Sequence, residues 1–196
     1  MPRRTFDKLM SLGGVVLTVA LLTAGVLAFW GYSFANGKVH TQLAAQKIYF
    51  PPKGSEALAD PQIGKYLNKY AGEQLVNGAQ AQAYADHFIA VHLKGVANGQ
   101  TYAEVSAQAL QNPNDQNLQG QVQTLFRGET LRGLLLNAYA FWKFGQLAFI
   151  GSLVFFVMAG IMFVLTILGF WHLRRARPTE QILSPAIEIP RERVSA

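Results

Sequence analysis

The chain has 196 residues, 51% of them hydrophobic and only 14% charged, with a formal net charge of +6 and no cysteine. A soluble domain carries about a quarter charged residues, and the lack of cysteine excludes disulfides, thiolate metal sites and cysteine nucleophiles. The positive excess is split evenly among the N-terminal tail, the middle and the C-terminal tail, so no basic stripe forms and nucleic acid is excluded as a partner.

Arg3, Arg4 and Lys8 precede a stretch, Leu9 to Gly37, with no charged side chain. A helix needs about 20 mostly apolar residues to cross a hydrocarbon core, so the sequence predicts a first transmembrane helix over residues 9–32. Phe29, Trp30 and Tyr32 close it at headgroup depth, where aromatic belts sit. Ser33-Phe34-Ala35 fits a signal-peptidase site, but the apolar run exceeds the about 7–15 residues of a secretory core, so the segment reads as a retained anchor. Steps of seven pick out Ser11, Thr18 and Gly25, with Gly14, Leu21 and Ala28 as companions. Such a stripe of small residues lets membrane helices approach closely, and its period predicts a left-handed crossing.

Between the spans, residues 33–143 read as a helical domain. Residues 38–50 are mixed, with 42–48 a short helix or an extended lead-in, and Pro51-Pro52-Lys53-Gly54 is a break. Asp60-Pro61 reads as a cap with proline in the first turn, opening a helix to about Tyr70. Asn77-Gly78 separates it from a helix over 79–97, with Tyr84, Phe88, Val91 and Gly95 on one stripe and Asn98-Gly99 as its stop. Thr101 and Glu104 have the spacing of a capping box, so a further helix runs to about Gln111, before Asn112-Pro113. From Leu118 a helical pattern leads toward the second span, and Gly120, Gly128 and Gly133 predict a weak or kinked lead-in.

Phe144 to Leu173 is again uncharged, giving a second transmembrane helix over 144–172. Tyr139, Phe141 and Trp142 open it, and Trp171 and His172 close it. Its heptad step of small residues is Gly145, Ser152, Ala159 and Thr166, a second seam to meet the first or another subunit. Arg174, Arg175 and Arg177 follow. Arginines outside both spans place residues 1–8 and 173–196 in the cytoplasm and the central domain outside, in a bacterial plasma membrane. The proline-containing tail from Ala176 reads as disordered and as a docking peptide. Neither span holds an Asp, Glu, Lys or Arg or a helix-breaking proline, against a lone channel or transporter.

Candidate chemistry is sparse. His87 and His92 are five apart, diverging by about 140° on an α-helix, so they do not clamp one metal. Glu129 and Arg132 are three apart and read as a partly buried structural ion pair that fixes how the last helix docks. Tyr66, Tyr84 and Phe88 are candidates for an apolar groove holding a lipid or quinone. No phosphate-binding loop, nucleophile elbow or zinc-protease motif occurs.

The runs Asp86-His87-Phe88-Ile89 and Gly99-Gln100-Thr101-Tyr102-Ala103-Glu104-Val105, followed by a second span ending in basic residues, resemble small two-span actinobacterial membrane proteins of unknown function. Some of these carry the label of an aromatic ring-opening dioxygenase. The resemblance covers the spans and about residues 80–136, and it implies the topology. An oxygenase would need iron held by two histidines and a carboxylate, and no spacing of His40, His87 and His92 supplies that set. The sequence thus points to an all-α membrane protein, without catalytic or cofactor residues, serving as an accessory or scaffolding subunit among lipid and protein partners. The alternative is an extracytoplasmic lipid- or quinone-binding sensor.

Overall fold

A computed structural model describes residues 3–175, and these are helical apart from their connections. The order is α1 (Arg3–Ala45), α2 (Pro61–Leu67), α3 (Gly78–Tyr84), a π turn (Ala85–Ile89), α4 (Ala90–Val96), α5 (Tyr102–Gln111) and α6 (Gln116–Arg175). The tail from Ala176, read from sequence as a docking peptide, lies outside the described residues. Helix α1 has 43 residues and α6 has 60, about 65 and 90 Å at 1.5 Å per residue. Both are long and apolar enough to cross a membrane, and only 11% of the most apolar window of each is buried. A core helix of a soluble protein would bury that window.

Two compact units form, one from the described residues up to Leu27 together with those from Gly151, the other from Ala28–Ile150. In the first, α1 and α6 pack antiparallel along their small residues. Ser11, Thr18, Gly25, Ser152, Ala159 and Thr166 are buried, and Gly14 is half-buried. A Cβ added at Gly14 would strike the Thr166 side chain, one at Gly25 would lie 2.8 Å from the Phe156 ring, and one at Gly169 would lie 2.8 Å from Ser11 Oγ. The paired residue numbers sum to about 180 throughout, a single register held by close approach rather than by charge. Thr18 donates its hydroxyl to the Gly14 carbonyl at 2.7 Å, which hides a polar group inside its own helix. Outward, large side chains such as Val16 (69% exposed) and Leu27 (62%) are uncovered.

In the second unit, α1 runs on to Ala45, past the span predicted over 9–32 and into the segment 42–48 that the sequence leaves open between a short helix and an extended lead-in. Gln74 Nε2 donates to the Ala44 carbonyl at 2.8 Å and caps the helix end. Lys47 turns the chain with φ 52°. Phe50 N–H then donates to Glu73 O and Leu75 N–H to Ile48 O, both at 2.9 Å, around one isolated antiparallel bridge between Tyr49 and Gln74. Asp60 caps α2 as its sequence implies, accepting from Gln62 N–H at 2.8 Å. Asn77 is a cap as well as a separator, in a capping box with Gln80. The buried Gln80 amide also accepts from Val76 N–H and donates to Glu73, so its polar atoms are satisfied.

The helix expected over 79–97 is interrupted by the π turn, where Ala90 N–H reaches back five residues to the Ala85 carbonyl. Ala81, Ala85, Ile89 and Leu93 are all buried, a spacing of four. On a plain α-helix three steps of four drift by about 120°. The extra residue in the π turn cuts the drift to about 20° and keeps all four facing the core. Gly95, expected on the buried stripe, is exposed, and Tyr84, Phe88 and Val91 are half-buried at its edge. The core adds Leu43, Phe50, Leu67, Leu75, Val105, Leu125 and Leu135. Trp142, read as part of an aromatic belt, packs so closely on Gly78 that no side chain fits there.

Helix α6 is unbroken through Gly120, Gly128 and Gly133, against the expected kink. Asp115 caps its start, accepting from Asn117 and Leu118 N–H at 2.9 and 3.1 Å. A Cβ on Gly128 would meet the Leu93 side chain, which would have to shift to admit it, whereas Gly120 and Gly133 face open space. Gly120→Ala and Gly133→Ala are each expected to stabilise the domain by up to about 1 kcal/mol, read as a raised thermal midpoint. Gly128→Ala should give no such gain.

Candidate functional sites on the helical domain

The charged candidate is built on the π turn. Arg132 on α6 pairs with Glu129 one turn earlier (Nη1 to Oε2, 3.2 Å), and with Asp86 on the π turn (Nη2 to Oδ1, 3.3 Å). About a third of each of the Arg132 and Asp86 side chains is exposed, and Glu129 is more open at 47%. Arg132 therefore ties α6 to the π turn through Asp86, while Glu129 orients the guanidinium along its own helix. A cleft of about 640 Å³ opens beside this bridge, with Lys94, Thr101 and Tyr102 also on its wall. Its charges are balanced, two carboxylates against a guanidinium and an ammonium.

The histidines are held by rings and backbone. His87 stacks on Tyr66 with centroids 3.5 Å apart and planes 5° from parallel. His92 Nδ1 is 2.7 Å from the Phe88 carbonyl, at the exposed side of the helix. Among the described residues no three His, Asp or Glu side chains group closely enough to hold a metal ion.

The three residues read as a groove divide between two clusters. Tyr84 and Phe88 contact each other and join Phe50 and Tyr70, with Tyr84 edge-on to Phe50 at 5.4 Å. Tyr66 instead goes with His87. Tyr84 and Phe88 thus fill a core edge rather than lining an open trough with Tyr66. Burial pushes the Tyr84 phenol above its ordinary value, since an ionised ring there would lose its water.

The apolar candidate lies on α5 and the start of α6. Thr101 and Glu104 form the capping box, and bonds from Thr101's backbone N–H and hydroxyl hold the Glu104 carboxyl below its ordinary range. The cap fixes Tyr102 at the first turn of α5, where its ring meets Phe126 of α6 at 5.8 Å. Phe126 is 57% exposed, and Leu110, on α5, is 81% exposed. Leu125 and Leu135 take the core positions of α6 and leave Phe126 on the outside. Val122 and Arg127 border the pair.

The seam residues Gly145 and Ala28 belong to the same unit as this domain. Gly145 is buried, and a Cβ there would stand 3.2 Å from Ala35 Cβ. Ala28 is half-buried. No protein-family model, curated protein or solved structure matches the chain.

Proposed function

We propose that the chain crosses the bacterial plasma membrane twice, with both ends in the cytoplasm and the helical domain outside, and serves as a non-catalytic accessory subunit of a membrane complex. The observation that carries this reading is the Tyr102–Phe126 face. Tyr102 and Phe126 are exposed on the domain rather than on the apolar stretches predicted to meet lipid. Clustered exposed apolar side chains mark association surfaces, and a tyrosine and an arginine among them suit the anchor role such residues take at interfaces. Two further features support it. The small-residue seams are occupied by α1 and α6 of one chain, which leaves the domain surface for a partner. The Arg132 bridge engages Asp86 in tying α6 to the π turn and Glu129 in orienting the guanidinium.

In mild detergent the native chain is expected to migrate with a larger assembly, and Tyr102→Ser with Phe126→Ser to weaken that assembly at least tenfold, as loss of an interface anchor does. Circular dichroism of the variant should be unchanged. A lone folded monomer from native membranes would overturn the reading. Orientation is tested separately, because the chain has no cysteine. Leu110→Cys should react with an impermeant maleimide on intact cells, and Arg174→Cys only after lysis.

A further inference from the structure

A second apolar surface follows directly on the predicted spans. A groove of about 520 Å³ runs between α1 and α6 within the helical domain. Its floor is Val39, Leu43 and Leu135, all buried and all apolar. Its walls carry Phe34, Leu134 and Phe141, which are 50%, 60% and 56% exposed. Lys38 also lines it, with its ammonium 5.8 Å from the Phe34 ring centroid. Among the described residues no carboxylate pairs with Lys38. The amides of Gln42 and Asn137 complete a polar margin.

Position along the helices selects the occupant. Phe34 follows the end of the first predicted span at residue 32 by two residues, and Phe141 precedes the start of the second at 144 by three. At about 1.5 Å per residue, both lie at headgroup depth, and Lys38 is about one turn further out. An amphipathic molecule meets each part in turn: an apolar chain on the phenylalanines and Leu134, an anion on Lys38, and ester or hydroxyl oxygens on the amides. A groove of this size is within the about 300–1,000 Å³ of small-molecule sites. A neutral apolar ligand would make no use of Lys38, and a soluble anion would leave the walls uncovered.

We propose that this groove seats one anionic phospholipid, with its phosphate on Lys38 and one acyl chain against Phe34, Leu134 and Phe141. The proposal rests on the two-span reading above but not on the accessory role. Full-length protein in detergent, titrated with phosphatidylglycerol or phosphatidylcholine and read by native mass spectrometry, tests it. One phosphatidylglycerol per chain is expected, favoured about fivefold over phosphatidylcholine, the effect of one lysine near an anionic surface. Lys38→Gln should abolish that preference, while Leu134→Gln should weaken both lipids. Glycerol phosphate at the same concentration should not compete.

Equal retention of the two lipids, unsaturable adducts, an unchanged preference in Lys38→Gln, or competition by glycerol phosphate would each overturn the proposal. So would a dimer dispersed by Leu134→Gln, which would assign the groove to a second copy. Because Leu134 is exposed, both variants should keep the native circular dichroism. The maleimide labelling separates the two readings: correct orientation without lipid preference removes only the groove proposal, and inverted labelling removes the topology whatever the lipid result.

Discussion

Gly64→Ala is expected to be among the most damaging single-methyl changes in the helical domain. Gly64 is buried in α2, and a Cβ there would collide with the Leu58 backbone carbonyl and stand 3.0 Å from Asn68 Nδ2. The carbonyl belongs to a tight turn in which Leu58 N–H donates to Ser55 O and Ala59 N–H to Glu56 O, both at 3.0 Å. A side chain in that position could rotate away, but a backbone oxygen inside a hydrogen-bonded turn moves only with the turn. Overpacking costs about 3 kcal/mol at the upper end, and alanine's helix preference returns about 1 kcal/mol. The net loss of about 2 kcal/mol should lower the thermal midpoint by about 10 °C in a domain of this size. A midpoint within 2 °C of the native chain, on the order of measurement scatter set against that shift, would show that α2 is not seated on residues 56–58.

The second large effect lies in the seam. The Cβ built at Gly169 is 3.7 Å from Ser11 Cβ, within the roughly 3.5–4.5 Å that a disulfide spans. Ser11→Cys with Gly169→Cys is therefore expected to close almost completely on mild oxidation, with no other thiol in the chain to compete. Gly13 has nothing within 4 Å of its added Cβ, so Gly13→Cys with Gly169→Cys should stay reduced. Adding Gly14→Leu to the closing pair drives a branched side chain into Thr166 and should slow closure at least tenfold, as an overpacking cost of about 1.4 kcal/mol or more would. Equal closure of both pairs would mean that the register is wrong. A mobility shift on a non-reducing gel reads all three.

Local signals were the legible ones. Asp60 before Pro61, Thr101 with Glu104, and Asn98-Gly99 each act locally, and their partners are at most five residues away, so the sequence exposes them. The seven-residue recurrence of Ser, Thr, Gly and Ala was equally visible, because close helix approach selects for small side chains at one phase. The bond from Arg132 to Asp86 was not visible, since 46 residues separate them and the sequence offered only Glu129 as a neighbour. Trp142 on Gly78 was hidden for the same reason. Nothing in the sequence singles out Gln80 among its neighbouring Ala and Gln residues, yet the fold buries it against residues 73–77. The continuity of α1 to Ala45 stayed open in the sequence, because the polar residues after Gly37 mark where the apolar surroundings end and not where the helix does. The expected groove of Tyr66, Tyr84 and Phe88 joined residues of two helices whose mutual packing no local pattern reveals, and Tyr66 stacks on His87 instead.

The π turn has a consequence for how the chain tolerates length changes. Deleting one residue among 85–89 would restore an ordinary α-helical ladder and improve the local hydrogen bonding. Positions beyond it would keep their phase, because the shortened segment turns through the same angle as the π turn does, and Leu93 would stay on Gly128. Insertion is the harmful change: one further residue without a second π turn would rotate the whole far end of the helix by about 100°. Residues 85–89 thus take up one residue more than an α-helix would hold there, while leaving its two ends in phase.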